Sequence, residues 1–209
     1  MAVTPSQLGR PVGADGEQTR ARIITAVMRC VAEAGYARAT IREIARAADM
    51  TSGSLYHYFP NKSELLEATV SEMERIALPR LRSAAGQDGD AVERLVAVLD
   101  ESSRLMRDYP YLAAFERAIR VAGNEHHGRT RVHYPGLKAL RDIITEVVWD
   151  AHARGGLPAD TDPAAAVNAI HALVRGLTER AANLDPDAYA ATLSSARELL
   201  RGTLFAGPA

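Results

Sequence analysis

The chain lacks most of what a disulfide-braced, metal-clustered or membrane-spanning protein needs. It has one cysteine, Cys30, in 209 residues, which excludes an intramolecular disulfide and a cysteine metal cluster. Cys30 falls within an apolar helical pattern and reads as a small core residue rather than a redox sensor. No apolar run reaches the roughly 20 residues of a membrane helix. The opening stretch MAVTPSQLGRPVGADGEQ has no apolar signal core and the composition of a flexible arm, so a cytoplasmic protein is expected. No segment alternates convincingly as a strand would. There is no Gly-rich phosphate loop, His-Glu metal motif or nucleophile elbow, and acid–base groups are scattered. The chain is therefore expected not to be an enzyme, and to have no cofactor and no metal site.

Net charge is nearly absent as well, at -1. Its distribution is uneven. Residues 1–62 carry eight Lys/Arg against five Asp/Glu, and the remainder seventeen against twenty-one. A basic head (net +3) on an acidic body (net -4) suits a protein that meets phosphates at one end only.

What is present is helical grammar from end to end, with 47% hydrophobic residues to build a core. Arg20 to Ala34 repeats apolar residues at helical spacing through Ile23, Ile24, Val27 and Val31. Gly35 stands where a helix can turn left-handed. Thr40 and Glu43 form a capping box for a short second helix with Ile41, Ile44, Ala45 and Ala48 as its stripe. Thr51 caps a third helix, expected over Ser52–Phe59. A fourth begins near Lys62 and runs to about residue 84, with Pro79 a potential kink. In the body, Asp90 with Glu93, Asp108 before Tyr109-Pro110, Asp162-Pro163 and Asp185-Pro186 read as helix starts. The last two helices are expected over about 163–183 and 186–205. Residues 123–136 are the least patterned interior stretch. The fold class is all-α with nine or ten helices.

Two short helices joined by a tight turn, the second rich in small polar residues, form a helix-turn-helix pattern. Leu55 and Phe59 lie four apart and can anchor the third helix on Ile24, Val27, Ile41 and Ile44. That leaves Ser52, Ser54, Tyr56 and His57 for the exposed side, as donors to phosphate oxygens or base acceptors. Gly53 removes a side chain at the first turn, where backbone can approach an anion closely. Thr40, Arg42 and Lys62 are flanking phosphate clamps.

Residues 20–66, above all TIREIARAADMTSGSLYHYFPNKSELL, resemble the N-terminal domain of the TetR family of transcriptional regulators. The features that coincide are Gly35-Tyr36, Thr40, Gly53, Tyr56 to Phe59 and Lys62. Met50 stands where valine is frequent. Ser52 stands where a larger side chain often contacts a base, which weakens readout at that position. The resemblance implies a dimer on a palindromic operator, acting as a repressor released by a small molecule, with DNA contacts at Thr40, Ser52, Ser54, Tyr56, His57 and Lys62. The expected organisation is a flexible arm (1–17), a three-helix DNA-binding domain with the helix-turn-helix (18–62), and a helical effector-binding and dimerisation domain (63–205).

Expectations for the body rest on residue type. Ala166, Ala169, Ile170, Leu173, Val174 and Leu177 on the penultimate helix are candidates for the homodimer interface, where small residues permit close helix approach. Met73, Leu99, Met106, Tyr109, Tyr111, Phe115, Trp149 and His171 are candidates to line a pocket for an apolar or aromatic effector. His126, His127 and His133 invite a metal reading, but Gly128 and irregular surroundings favour a solvated loop. The alternatives are a helical protein-interaction module, an activator, or a regulator without a small-molecule effector.

Overall fold

The computed structural model describes residues 12–125 and 136–206, all of it helix and connecting turn. Nine helices follow in order: α1 (Val12–Ala34), α2 (Ile41–Ala47), α3 (Ser52–Tyr58), α4 (Lys62–Ala85), α5 (Ala91–Asp108), α6 (Leu112–Glu125), α7 (Gly136–Ala153), α8 (Pro163–Ala181) and α9 (Pro186–Arg201). Helices α1–α3 form a head and α4 runs from it into the body, passing through Pro79 as one helix. In the body α4 packs on α5 and α7, α6 on α8, α7 on α8, and α9 on α5 and α8. Head and body are joined by α1 against α4 and α6. No helix among the described residues is long and apolar enough to cross a membrane.

Local capping sets most of the boundaries. Thr40 and Glu43 exchange the two bonds of a capping box, and so do Asp90 and Glu93. Asp162 and Asp185 cap α8 and α9 ahead of a first-turn proline, where a missing amide costs nothing. Gly35 closes α1 at φ 81°, a conformation that favours glycine.

Several boundaries differ from expectation, the smallest being the end of α3 at Tyr58 with Phe59 as its C-cap. Helix α1 starts at Val12, so residues 12–17 of the expected arm are helical. Favourable charge pairing of Glu17 with Arg75 and of Arg20 with Glu72 lies along this extension and α4. Asp108 caps no helix: it ends α5, Tyr109 is the C-cap, and α6 starts at Leu112. Its carboxylate accepts instead from Arg80 at 2.8 Å, a partner distant in sequence that a local capping motif does not reveal. The last two helices also stop short of their expected ends, at Ala181 and Arg201.

The same Arg80 belongs to the most buried ionic group of the described body. Glu101, 8% exposed, accepts from Arg80 Nε at 2.5 Å and from Arg104 at 2.6 Å, tying α4 to α5. Burial pushes the Glu101 carboxyl up, but hydrogen bonds from Arg104 and Arg80 outweigh it, and its pKa falls below the ordinary 4.5. A carboxylate with a depressed folded-state pKa stabilises the fold above its unfolded pKa, and that contribution disappears as pH falls through the folded value. Glu101→Gln is therefore expected to cost about 2 kcal/mol at pH 7, with the gap to the parent narrowing below about pH 5. Urea unfolding at pH 7 and at pH 4 checks this. A gap of constant size would mean that the ionised form is not what matters.

Candidate nucleic-acid interface and effector pocket

The head builds its exposed face from a buried one. Ile23, Val27 and Val31 of α1, Ile44, Ala45 and Ala48 of α2, and Leu55 of α3 are buried in one core with Phe59. Ile41 packs at its edge. Helix α3 inserts Leu55, which is 0% exposed, and is followed immediately by Phe59. With Leu55 inward, the 100° advance per residue turns Gly53, Ser54, Tyr56 and His57 outward, and all four are exposed. Ser52 is only half-exposed. Tyr58 is 42% exposed and sets its ring edge-on to His57 at 5.9 Å. The sequence reading passed over Tyr58 as part of a terminal aromatic motif, although it lies off the inward 55/59 stripe.

The turn between α2 and α3 is a Schellman motif. The Met50 amide donates to the Ala45 carbonyl at 3.0 Å and the Asp49 amide to the Arg46 carbonyl at 3.2 Å. Asp49 takes the left-handed position at φ 53°. Aspartate is among the few non-glycine residues that tolerate it, and Met50 packs back onto the core, completing the motif. Thr51 then starts α3, its hydroxyl accepting from the Ser54 amide at 3.1 Å. The angle between the two helices is thus set by backbone bonds within six residues.

The flanking positions are more committed than their residue types suggest. The Thr40 hydroxyl donates to Glu43 at 2.7 Å and accepts from the Glu43 amide at 3.2 Å. These side-chain and backbone bonds lower the Glu43 pKa, so the capping carboxylate is held ionised. The Lys62 amino group donates to the Tyr36 carbonyl and to that of Ala37, and lies 4.6 Å from the Tyr36 ring centroid. It staples the α1–α2 turn to the start of α4. Burial lowers its pKa, against the opposing charge of Glu43. Arg42 is exposed on α2 and forms no ion pair among the described residues. On α1, Arg20 lies 5.6 Å from the centroid of the Phe59 ring.

Gly53 is informative by what it does not need. A Cβ there would meet only the Thr51 hydroxyl at 3.8 Å, an ordinary contact, and its φ is unexceptional. Glycine inside a helix costs about 0.5–1 kcal/mol relative to alanine, and nothing in the described fold repays that.

Cys30 is half-buried. Burial, then the carboxylates of Glu33 and Glu43, push its thiol pKa up, which favours the protonated form and a packing role.

In the body a pocket of about 60 Å³ opens among α4, α5, α6, α7 and α8. Leu78 and Leu81, Leu105 and Met106, and Leu140 supply apolar wall, with Glu74 and Glu116 among the polar lining. Of the eight expected lining residues, Met106 is in this pocket. Met73, Leu99 and Phe115 are buried in the core packing and do not line it. Tyr109 and Tyr111 are half-buried at the α5–α6 turn, and His171 is half-buried on α8. Trp149 is misplaced by the expectation. It is 49% exposed and edge-on to His152, because Ile143, Ile144, Val147, Val148 and Ala151 take the inward stripe of α7. His126, His127 and His133 lie outside the described residues.

On α8 the candidates for the dimer joint divide. Val174 and Leu177 are buried within the protomer together with Val167, so they belong to the protomer's own core. Ala169 is exposed, and Ala166, Ile170 and Leu173 are half-buried. Ala165, Ala169, Ala172 and Gly176, spaced 4, 3 and 4 apart, form an exposed small-residue stripe. Leu199 on α9 and Phe205 beyond it are also exposed.

Residues 23–69 match the family model described as bacterial regulatory proteins, tetR family. The HTH-type transcriptional regulator TtgR of Pseudomonas putida is 29% identical over 175 residues, covering 79% of this chain and 81% of that protein. The HTH-type transcriptional repressor KstR of Rhodococcus jostii is 34% identical over 108 residues, 51% of this chain and 50% of that one. Among solved structures, the fatty acid degradation regulator FadR of Bacillus halodurans superposes with a TM-score of 0.71 at 21% identity, covering 95% of this chain and 99% of its own. That likeness concerns the fold. The head motif and the family match agree that residues 23–69 carry a DNA-binding domain of the tetR family, and along most of its length the chain is similar to transcriptional regulators that carry one.

Proposed function

We propose that the protein is a dimeric transcriptional repressor that reads an inverted-repeat operator with α3 and is released by a small molecule bound in the body. The observation that carries the DNA-binding part is the face of α3. A seven-residue helix anchored by Leu55 presents Gly53, Ser54, Tyr56 and His57 outward, with a glycine that nothing within the chain requires. A close-approaching phosphate or base edge gives Gly53 its reason. In this reading residues 18–62 are the DNA-binding unit and 63–205 the effector-binding and dimerisation unit. Thr40, Arg42 and Lys62 flank the duplex. Lys62 reaches phosphate with the N–H left over from its two carbonyl bonds, and the Thr40 hydroxyl must turn from Glu43 to donate.

One short recognition helix gains useful specificity when two copies span a twofold operator. The small-residue stripe of α8, together with Leu199 of α9, is our candidate for the joint. The sign of regulation follows the R. jostii relative, a repressor by name. Release works by coupling: ligand binding favours a spacing of the two heads that fits the operator poorly, and α4 is the lever because it carries both Lys62 and the pocket residues Glu74, Leu78 and Leu81.

Selection of bound duplexes from a random pool at about 0.15 M salt tests the reading. An enriched inverted repeat supports it. Binding without sequence enrichment that vanishes as salt rises would reduce it to an electrostatic contact and favour an interaction module. On the selected operator, Tyr56→Ala is expected to weaken binding about tenfold without loss of stability. Lys62→Ala is expected to lower the slope of log affinity against log salt by about one. Mobility shifts over a salt series measure both, and an unchanged slope would remove Lys62 from the phosphate contacts.

A further inference from the structure

We propose that Glu179 of α8 is a positioning residue for operator binding: gripped by Arg117 and Arg120 of α6, it fixes α6 to the dimer joint, and α6 in turn fixes the head. The proposal rests on the reading of the exposed α8 face as the joint. To that reading it adds a second strut, beside α4, that sets how far apart and at what tilt the two reading helices stand.

Arg117 and Arg120 stand three apart and share a face of α6. Arg117 Nε donates to Glu179 Oε1 at 3.1 Å and Arg120 Nη2 to Glu179 Oε2 at 2.7 Å, so one carboxylate holds two guanidinium groups. Asn183, in the turn between α8 and α9, completes the group. Its side-chain nitrogen donates to the Glu179 carbonyl at 2.7 Å, which leaves its side-chain oxygen to accept. Arg117 Nη1 donates to that oxygen at 2.7 Å. The side chains of the ion pairs are 27–47% exposed, and an isolated pair so exposed contributes little. Here the charges form a network, and Asn183, fixed on the end of α8, holds one arginine in place for the carboxylate.

The place of this clamp gives it a consequence for DNA. Glu179 follows Gly176 by three residues and so continues the exposed row of Ala165, Ala169, Ala172 and Gly176 on one helical face. The clamp therefore grips α8 at the end of the face that meets the partner protomer. Helix α6 buries Phe115 and Ile119 in the core and packs on α1 as well as on α8. Helix α1 in turn shares the core that seats Leu55 of α3. A path of contacts thus runs from the joint through α8, α6 and α1 to the reading helix without passing along α4. One helix entering the head fixes its position but leaves its tilt soft, and a second contact removes that freedom. Shifting a half-site by one base pair moves it by about 3.4 Å and turns it by about 35°, so a head held at two points discriminates spacing more sharply than one held at a single point.

The test uses the full chain, the operator selected from the random pool, and versions of it whose half-sites stand one base pair nearer or farther. Glu179→Ala is expected to remain a dimer in sedimentation velocity and to bind an isolated half-site as the parent does. In fluorescence anisotropy it is expected to lose about fivefold on the selected operator and nothing on the shifted ones, so that the preference for spacing shrinks by the same factor. Glu179→Arg, which sets three guanidinium groups against one another, is expected to lose more. Adding Arg117→Glu and Arg120→Glu to it restores opposite charges across the α6–α8 contact and is expected to recover most of the spacing preference. Equal loss on every spacing would mark general damage to the fold and overturn the positioning role. So would an unchanged preference in a dimeric Glu179→Ala. A Glu179→Ala variant that sediments as a monomer would place Glu179 in the joint itself and overturn its role on α6. A parent that sediments as a monomer overturns the dimer reading, and this proposal with it.

Discussion

Leu55→Ala is expected to reduce operator affinity by two orders of magnitude or more, although Leu55 presents no atom to solvent. Helix α3 has seven residues, well below the roughly 12–15 at which an isolated helix becomes even marginal. It persists because Leu55 and Phe59 bury against α1 and α2. Truncating a buried leucine to alanine costs about 2–5 kcal/mol, a large part of the 5–15 kcal/mol that holds a typical domain together. Local opening of α3 draws on a smaller margin than global unfolding. Affinity is multiplied by the fraction of heads in which α3 is docked, and a truncation that exceeds that margin by about 3 kcal/mol lowers it more than a hundredfold. The contrast with Tyr56→Ala is diagnostic: that change removes an exposed ring and should leave urea stability intact while weakening the operator complex. Measured together by urea unfolding and fluorescence anisotropy on the selected operator, the two variants separate positioning from contact. An operator complex that survives Leu55→Ala unchanged would show that α3 is not the element that reads DNA.

Much of this architecture was legible because its determinants are local. A capping box spans four residues, so Thr40-Glu43 and Asp90-Glu93 could be read directly, as could the Asp-Pro starts of α8 and α9. The outward face of α3 followed from a single inward leucine and helical geometry. What escaped was non-local. Asp108 has the sequence of a cap but bonds to Arg80 on α4, a neighbour created only when α4 and α5 pack. Lys62 reads as a free clamp until its amino group is found on the Tyr36 carbonyl, 26 residues earlier. The limit appears again on α8, whose residues are small or apolar around most of the circumference. Periodicity identifies such helices without saying which stripe faces the protomer's own core. Val174 and Leu177 were therefore assigned by residue type, and burial places them differently; Trp149 shares the polar face of α7 with Asp142, Thr145 and Glu146, a periodic signal that its ring size overrode. Asp49 in a left-handed turn carried no glycine to announce it.

The division of α8 into a buried and an exposed stripe makes the dimer the most exacting test of the whole reading. Ala169 and Ala172 are exposed in the protomer, so glutamate at either position has room in an isolated chain and should leave protomer stability within about 0.5 kcal/mol. In a twofold joint each substitution enters twice, and the α8 stripes approach through their smallest residues, so two like charges would be desolvated at close range. Ala172→Glu is expected to convert the protein to monomer at micromolar concentration, as read by sedimentation velocity. The consequence for DNA follows from linkage of the two heads: joining two modules raises affinity by about 10²–10⁴ over a single one, so operator affinity should fall by at least about a hundredfold while the isolated half-site is bound as before. Val174→Ala predicts the reverse pattern, because Val174 lies in the protomer core: stability falls by about 1–3 kcal/mol with no selective effect on association. If Ala172→Glu remained dimeric and bound its operator normally, the joint would have to be sought away from the α8 stripe, and the coupling through α4 would need a different pivot.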